Sequence, residues 1–307
     1  MSDPIEAFRA AERALYTAHR LLVKEHFLDL PKPVMRARVV ECGDGPATLY
    51  VHGGGGFGAL WAPLVAAIPE RRHIVVDRPG CGLSEFVPTD GDFRAHAVEF
   101  LSSTLDALRL DRVDIVANSM GGLWSLWLAL DRSDRVRTLA LVGAPAMVGG
   151  GSAPLPMRLL GRPIIGKLMM MLEPPSAKQV KVLWQRMGHD PTSLDATIHD
   201  VMLAAERLPA YAPAWRALLA RALTVSGPAK DVVFQDADLA RLRCPVTFVW
   251  GKEDPFGGAE FGRSVAAKTP GSRFEVAGVG HLPWLDDPAG CARAILPALA
   301  PATRRAA

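Results

Sequence analysis

Cysteine is scarce in this chain of 307 residues. The four present, Cys42, Cys81, Cys244 and Cys291, lie far apart, and none falls in C-x-x-C or metal-ligand spacing. That excludes a disulfide scaffold or a zinc module and reads as free thiols in a reducing compartment. Charge imbalance is also lacking. With 35 Lys and Arg against 32 Asp and Glu the formal net charge is +3, and no basic stripe is interleaved with aromatics, so nucleic acid is not the expected partner. No apolar run reaches the roughly 20 residues that a membrane-spanning helix needs. The opening Met1-Ser2-Asp3-Pro4-Ile5-Glu6 carries acid early and has no apolar secretory core. The expectation is a soluble, cytoplasmic protein. No internal repeat is visible.

What is present is an ordinary globular composition, 49% hydrophobic and 22% charged, in a chain near the upper length for one core. An N-terminal helix is expected over 4–22, where Phe8, Ala11, Leu15, Leu21 and Leu22 recur at roughly helical spacing. Its mixed charges favour packing on the core over lying on a membrane surface. Strands are predicted over 34–41, 47–51, 73–77, 113–117, 138–142, 244–250 and 273–276. Helical segments separate most of them, over 60–68, 93–108, 123–130, 259–267 and 288–296. Strands alternating with helices imply βαβ units and an α/β fold with a mostly parallel sheet.

The rhythm breaks after Pro145. Gly149-Gly150-Gly151-Ser152 is hinge-like, and residues from about 153 to 236 read as helical with no convincing strand. The domain division that follows is a core of 1–147 and 237–307 carrying a helical insert of 148–236. Met157, Met169, Met170, Met171, Trp184 and Trp215 of the insert suit either internal packing or an adaptable apolar pocket wall. The tail Pro301-Ala302-Thr303-Arg304-Arg305 is expected to fray.

The chemistry centres on Val113-Asp114-Ile115-Val116-Ala117-Asn118-Ser119-Met120-Gly121-Gly122. An apolar strand runs into small residues and then a helix, so Ser119 sits at a sharp corner. Ala117 and Gly121 supply the small neighbours that close approach of strand and helix requires. The hydroxyl is pushed out at the top of the sheet, and the Met120 N–H points the same way from a helix N-terminus. Farther on, Asp254 follows one apolar strand in Trp250-Gly251-Lys252-Glu253-Asp254-Pro255, and His281 follows the last strand in Val279-Gly280-His281-Leu282-Pro283-Trp284. Open α/β sheets build sites at the carboxyl ends of their strands, so three loops can converge. Glu253, Asp286 and Asp287 are competing acids. The run Gly53, Gly55, Gly58 also fits a G-x-G-x-x-G dinucleotide loop with Asp77 on the next strand, although His52 stands where an apolar residue is usual.

The serine corner resembles the nucleophile elbow of the α/β-hydrolase superfamily, with Ala117 in place of the first glycine of G-x-S-x-G. The resemblance covers about 46–147 and 244–290, with a lid-like insert between. It implies the α/β-hydrolase fold and a triad of Ser119, Asp254 and His281 in that chain order. His52-Gly53-Gly54-Gly55 resembles the superfamily's His-Gly-Gly-Gly loop, which implies Gly54 and Met120 as the two oxyanion donors. Asp77-Arg78-Pro79-Gly80-Cys81-Gly82-Leu83-Ser84 resembles its structural D-x-x-G-x-G-x-S loop, where Cys81 reads as a buried, inert thiol. The implied activity is hydrolysis of a carboxylic ester, or a related carbonyl, of a small apolar molecule, with no metal or organic cofactor. The second reading is a carbon–carbon bond hydrolase of ring-cleavage products, with Arg186 as candidate lid arginine and Leu282 in place of the Trp usual after the histidine. The third is a non-catalytic ligand-binding module. Oligomeric state is not legible.

Overall fold

The computed structural model describes residues 3–89, 91–151 and 153–299, so Ser152 and the tail 301–305 lie outside the described residues. Helix α1 (Pro4–Ala18) starts where the Asp3 carboxylate accepts from the Ile5 amide at 3.0 Å, with Pro4 in the first turn. It ends sooner than the apolar spacing predicts. The chain turns at Arg20, φ +56°, and enters a strand the sequence did not reveal, β1 (Val23–Pro31). Only Leu30 of its nine residues is buried, so no hydrophobic period marks this edge strand.

The strands β2 (Val34–Cys42), β3 (Ala47–Val51), β4 (Arg72–Val76), β5 (Val113–Ala117) and β6 (Val136–Val142) follow. After a short hairpin of β7 (Leu223–Thr224) and β8 (Gly227–Pro228) come β9 (Val246–Trp250) and β10 (Arg273–Val276). Eight of them form one sheet in the order β1-β2-β4-β3-β5-β6-β9-β10. Pairings β1–β2 and β2–β4 are antiparallel, and all others are parallel. The central strands read as unbroken apolar runs because both faces are covered. In β5, Val113, Ile115 and Ala117 enter one apolar layer and Val116 the other; β3 divides Leu49 and Val51 from Tyr50 in the same way. The sheet is the mostly parallel α/β arrangement expected.

Helix α2 (Ala62–Ala67) continues a 3-10 turn at Gly58–Trp61. Helix α3 (Phe93–Ala107) packs on α4 (Ser119–Asp131), which is buried along most of its length behind β5 and β6. Between β6 and β9 the chain forms α5 (Leu155–Leu160), α6 (Pro163–Leu172), α7 (Ala177–Arg186), α8 (Ala196–Glu206), α9 (Tyr211–Ala222) and the short α10 (Asp236–Leu239). The hairpin β7–β8 corrects the expectation that this stretch holds no strand; two residues per strand are too few to show alternation. Its two ends meet, with Val148 bridged to Phe234 and the Phe234 amide donating to Met147 O at 2.9 Å. Helices α11 (Ala259–Ala266) and α12 (Pro288–Ile295) complete the chain.

Helix α1 packs against α8 as well as the core. It is also bound through charge. Arg38 of β2, only 3% exposed, meets Glu12 of α1 at 2.5 Å, Glu25 of β1 at 2.6 Å and Asp77 at 3.0 Å. A buried ion costs several kcal/mol to desolvate, so this cation depends on all three carboxylates around it. Burial nevertheless pushes the Glu12 carboxyl up, against the opposing pull of Arg38.

Candidate active site

Strand β3 lies between β4 and β5, so the chain reverses its winding there and leaves a crevice beyond the strands' carboxyl ends. Ser119 stands at that place, the first residue of α4, with φ +51°. A non-glycine side chain in left-handed backbone is strained and persists only where its surroundings fix it. Gly121 shows how tight the corner is. A Cβ there would lie 2.3 Å from Val51 O and 2.4 Å from His52 O. The N-cap Asn118 makes no side-chain cap bond, so the first-turn amides, Met120 among them, are left free of it. Its side-chain amide instead donates to Val142 O at 2.7 Å and to His281 O at 3.0 Å. That bond ties the serine corner to the histidine loop, and no local signal in the sequence announces it.

Asp254 lies in the loop after β9, 3% exposed. It accepts from the Ala144 and Phe256 amides, both at 2.9 Å, and from His281 Nδ1 at 2.9 and 3.1 Å. Burial works to raise this carboxyl; His281 and the two amides outweigh it and hold the group below the ordinary range. The carboxylate fixes Nδ1 of His281 as a donor, which leaves Nε2 with the lone pair in the neutral ring. The Phe256 ring packs 4.4 Å from the imidazole. The competing acids are engaged elsewhere or face solvent. Glu253 is exposed, Asp287 accepts from the Gly290 amide at 2.7 Å to cap α12, and Asp286 pairs with a different histidine.

That histidine, His189, follows α7 and was not singled out in the sequence. Its Nδ1 donates to Asp286 at 3.0 Å, and its Nε2 accepts from the Leu282 amide at 3.2 Å. Asp286 also accepts from the Val279 and Gly280 amides at 3.0 and 3.1 Å, and the His281 amide donates to Met187 O at 2.8 Å. The inserted helices therefore grip the His281 loop on both sides of the histidine.

The glycine loop after β3 is organised by one peptide unit. Gly53 O accepts from His52 Nδ1 at 2.8 Å and from Arg78 Nη2 at 2.7 Å, while Arg78 Nε donates to His52 O at 3.0 Å. In a planar trans peptide the N–H points opposite to the C=O. With the Gly53 carbonyl held on the protein side, the Gly54 N–H points away from Arg78, at a loop that lines the cavity. His52 is neutral in this role. Burial drives it well below the ordinary histidine range, and its Nε2 accepts from the Arg78 amide at 2.9 Å. Asp77 spends its carboxylate on Gly58 N at 2.7 Å, Leu83 N at 3.2 Å and Arg38. Buried and held by these groups, it is not presented to a ribose, which speaks against the dinucleotide reading and ties the loop to the core. Burial pushes the Cys81 thiol up to about 11, so it is not a thiolate at neutral pH.

A cavity of about 650 Å³ opens over these groups. Ser119, Met120, Gly54 and His281 line it, and Asp254 lies behind His281. Its far walls come from the inserted helices, including Met157, Met169, Met170, Trp184 and Trp215, so these methionines and tryptophans face a pocket. Trp215 packs so close that a Cβ on Gly54 would lie 2.8 Å from its ring, and Tyr211 Oη donates to Gly55 O at 3.1 Å. Three charged groups stand in this apolar wall, Glu173, Arg186 and Glu206. Arg186 is exposed, and burial pushes the Glu206 carboxyl up to about 7.

A fold of this topology with a strained serine over a buried histidine–carboxylate pair defines a class, and the comparisons agree. The profile of the alpha/beta hydrolase family matches residues 49–294, and the chain belongs to that family. An uncharacterized protein of Mycobacterium tuberculosis is 28% identical over 278 residues, covering 85% of this chain and 80% of the relative. A Dechloromonas aromatica protein named 2-hydroxy-6-oxononadienedioate/2-hydroxy-6-oxononatrienedioate hydrolase 1 is 28% identical over 253 residues, covering 78% and 80%. The crystal structure of the Bacillus subtilis carboxylesterase CesB superposes with a TM-score of 0.76 at 19% identity over 97% of this chain and 98% of that one. The last shows a shared fold. Together they make this protein a hydrolase of the α/β class.

Proposed function

We propose that the protein is a serine hydrolase that cleaves a carboxylic ester, or a related carbonyl, of a small apolar molecule. The observation that carries this reading is the Asp254–His281 hydrogen bond beside a serine held at φ +51° on one cavity. His281 Nε2 takes the Ser119 proton as Oγ attacks the carbonyl carbon, and Asp254 steadies the imidazolium. The Gly54 and Met120 N–H groups stabilise the tetrahedral oxyanion, each such donor being worth ~3 kcal/mol of barrier. The intermediate collapses, the proton passes from His281 to the departing alkoxide, and an acyl-serine remains. Water, deprotonated by His281, then releases the acid and restores Ser119. Residues 148–236 act as the lid that closes the pocket and excludes bulk water.

Ser119→Ala should lower kcat/KM by about 10⁴-fold or more with the fold intact. A fluorophosphonate probe should label the wild-type protein at Ser119 and leave the variant unlabelled. An unlabelled wild-type protein that is folded would favour a ligand-binding module instead. A second reading, carbon–carbon bond hydrolysis of dienoic ring-fission products, draws support from the name of the Dechloromonas relative and from Arg186 on the cavity wall, where a substrate carboxylate could pair with it. A panel of short esters, lactones and dienoic acids, run with Ser119→Ala beside it, separates the two.

A further inference from the structure

Exposed large apolar side chains are not spread evenly over this surface. Leu155, Ile164, Ile165, Leu168, Met171 and Leu172 are 44% to 84% exposed and fall within α5 and α6. Scattered exposed leucines are ordinary, but a contiguous patch marks an interaction surface. Helix α6 shows the patch is one face. Ile164, Ile165, Leu168, Met171 and Leu172 point outward, while Gly166 is buried and Met169 and Met170 line the cavity on the opposite side. Its single charge, Lys167, stands among the outward residues.

The segment of chain that carries this face is basic. Between Ala153 and His189 lie six basic residues, Arg158, Arg162, Lys167, Lys178, Lys181 and Arg186, against one acid, Glu173. That excess is larger than the +3 of the whole chain. Lys167, Lys178, Lys181 and Arg186 make no ion pair among the described residues. An apolar face that carries Lys167, in a segment with further exposed lysines at Lys178 and Lys181, complements an anionic lipid surface, into which leucine and methionine side chains insert while lysines reach the headgroups. A second copy is a poorer occupant, because two-fold pairing would bring two such basic segments together. At ten residues, α6 lies on a bilayer and does not cross it.

We propose that the α5–α6 face docks on anionic lipid surfaces and presents the cavity, through Met169 and Met170, to molecules dissolved there. Docking itself does not depend on the hydrolase reading. It is tested by flotation of the full chain with phosphatidylcholine vesicles, with and without phosphatidylglycerol. The wild-type protein should float with the anionic vesicles, less with neutral ones, and lose binding as salt rises. The triple variant Lys167→Gln, Lys178→Gln, Lys181→Gln should bind about a hundredfold more weakly, each lysine being worth a factor of about five near such a surface. Ile164→Ser with Leu168→Ser and Leu172→Ser should lose flotation while keeping its circular dichroism spectrum and its turnover of a water-soluble ester. Ser119→Ala should float as well as wild type, which keeps this test separate from that of the catalytic serine. No binding to anionic vesicles, binding that ignores lipid charge and salt, or a solution dimer that the serine variants dissociate would each overturn the proposal.

Discussion

Gly53 has to satisfy two sides of the crevice with one peptide unit. A Cβ on it would lie 2.5 Å from Asn118 Oδ1 and 3.0 Å from Ser119 Cβ, so only glycine lets the loop come this close to the serine. Its carbonyl is held by Arg78, a buried cation that stacks 4.9 Å over the Trp124 ring and bonds two backbone oxygens. Removing that guanidinium frees the Gly53 carbonyl to turn, and the Gly54 N–H turns with it. Arg78→Met should therefore lower kcat for ester hydrolysis by about tenfold to a hundredfold, up to the worth of one oxyanion donor, with KM nearly unchanged. Arg78→Lys should not rescue it, because an ammonium lacks the planar fork that reaches both oxygens. Steady-state kinetics on a soluble ester check both variants. Ser119, Asp254 and His281 were legible because each sits in a local pattern of strand followed by loop. Arg78, His52 and Asn118 were not, because their partners are fixed only when β3, β4 and β5 come side by side.

Among the elements, the stretch after α7 acts on a loop 92 positions ahead, counted from His189 to His281. His189, buried with its side chain wholly covered, donates to Asp286 and accepts from the Leu282 amide. Burial works to raise the Asp286 carboxyl, and the His189 bond and charge with two amides hold it below the ordinary range. His189→Ala leaves the Leu282 N–H without its acceptor and Asp286 without its strongest partner. A buried donor left unmatched costs about 1–3 kcal/mol. The urea midpoint should fall accordingly with an unchanged slope. His189→Gln, which keeps a donor and an acceptor at comparable reach, should recover part of the loss. Strand β1 and the early end of α1 mark where element prediction failed. An edge strand with one buried residue has no period to read, and a helix stop set by Arg20 in left-handed backbone has no glycine or proline to announce it.

At the scale of the whole molecule, stability should carry the mark of Glu206, a carboxyl that lines the cavity. Glu206 is pushed from 4.5 up to about 7 by burial, with Arg207 opposing. Between pH 4.5 and about 7 the folded protein keeps a proton there that the unfolded chain has released. Its contribution therefore falls as pH rises through that window and levels off above it. Glu206→Gln should leave Tm unchanged below the window and raise it above, by roughly 2 °C if partial exposure screens the effect to about 1 kcal/mol. Thermal melts of both proteins on either side of the window test this. Ligand binding that fills the cavity should enlarge the difference, since it deepens the burial that raises the group.

The sequence by itself determined the parts that local chemistry dictates. Apolar runs with both faces covered specify a parallel sheet, and small residues around Ser119 specify a sharp corner. The order of serine, acid and histidine follows from which loop each occupies. Only the folded chain decided which acid reaches His281, which side of the Gly53 peptide faces the cavity, and that the inserted helices clasp the histidine loop. Those outcomes depend on hydrogen bonds between residues far apart in sequence, and a directional bond of about 3 Å carries no trace in the spacing of either partner.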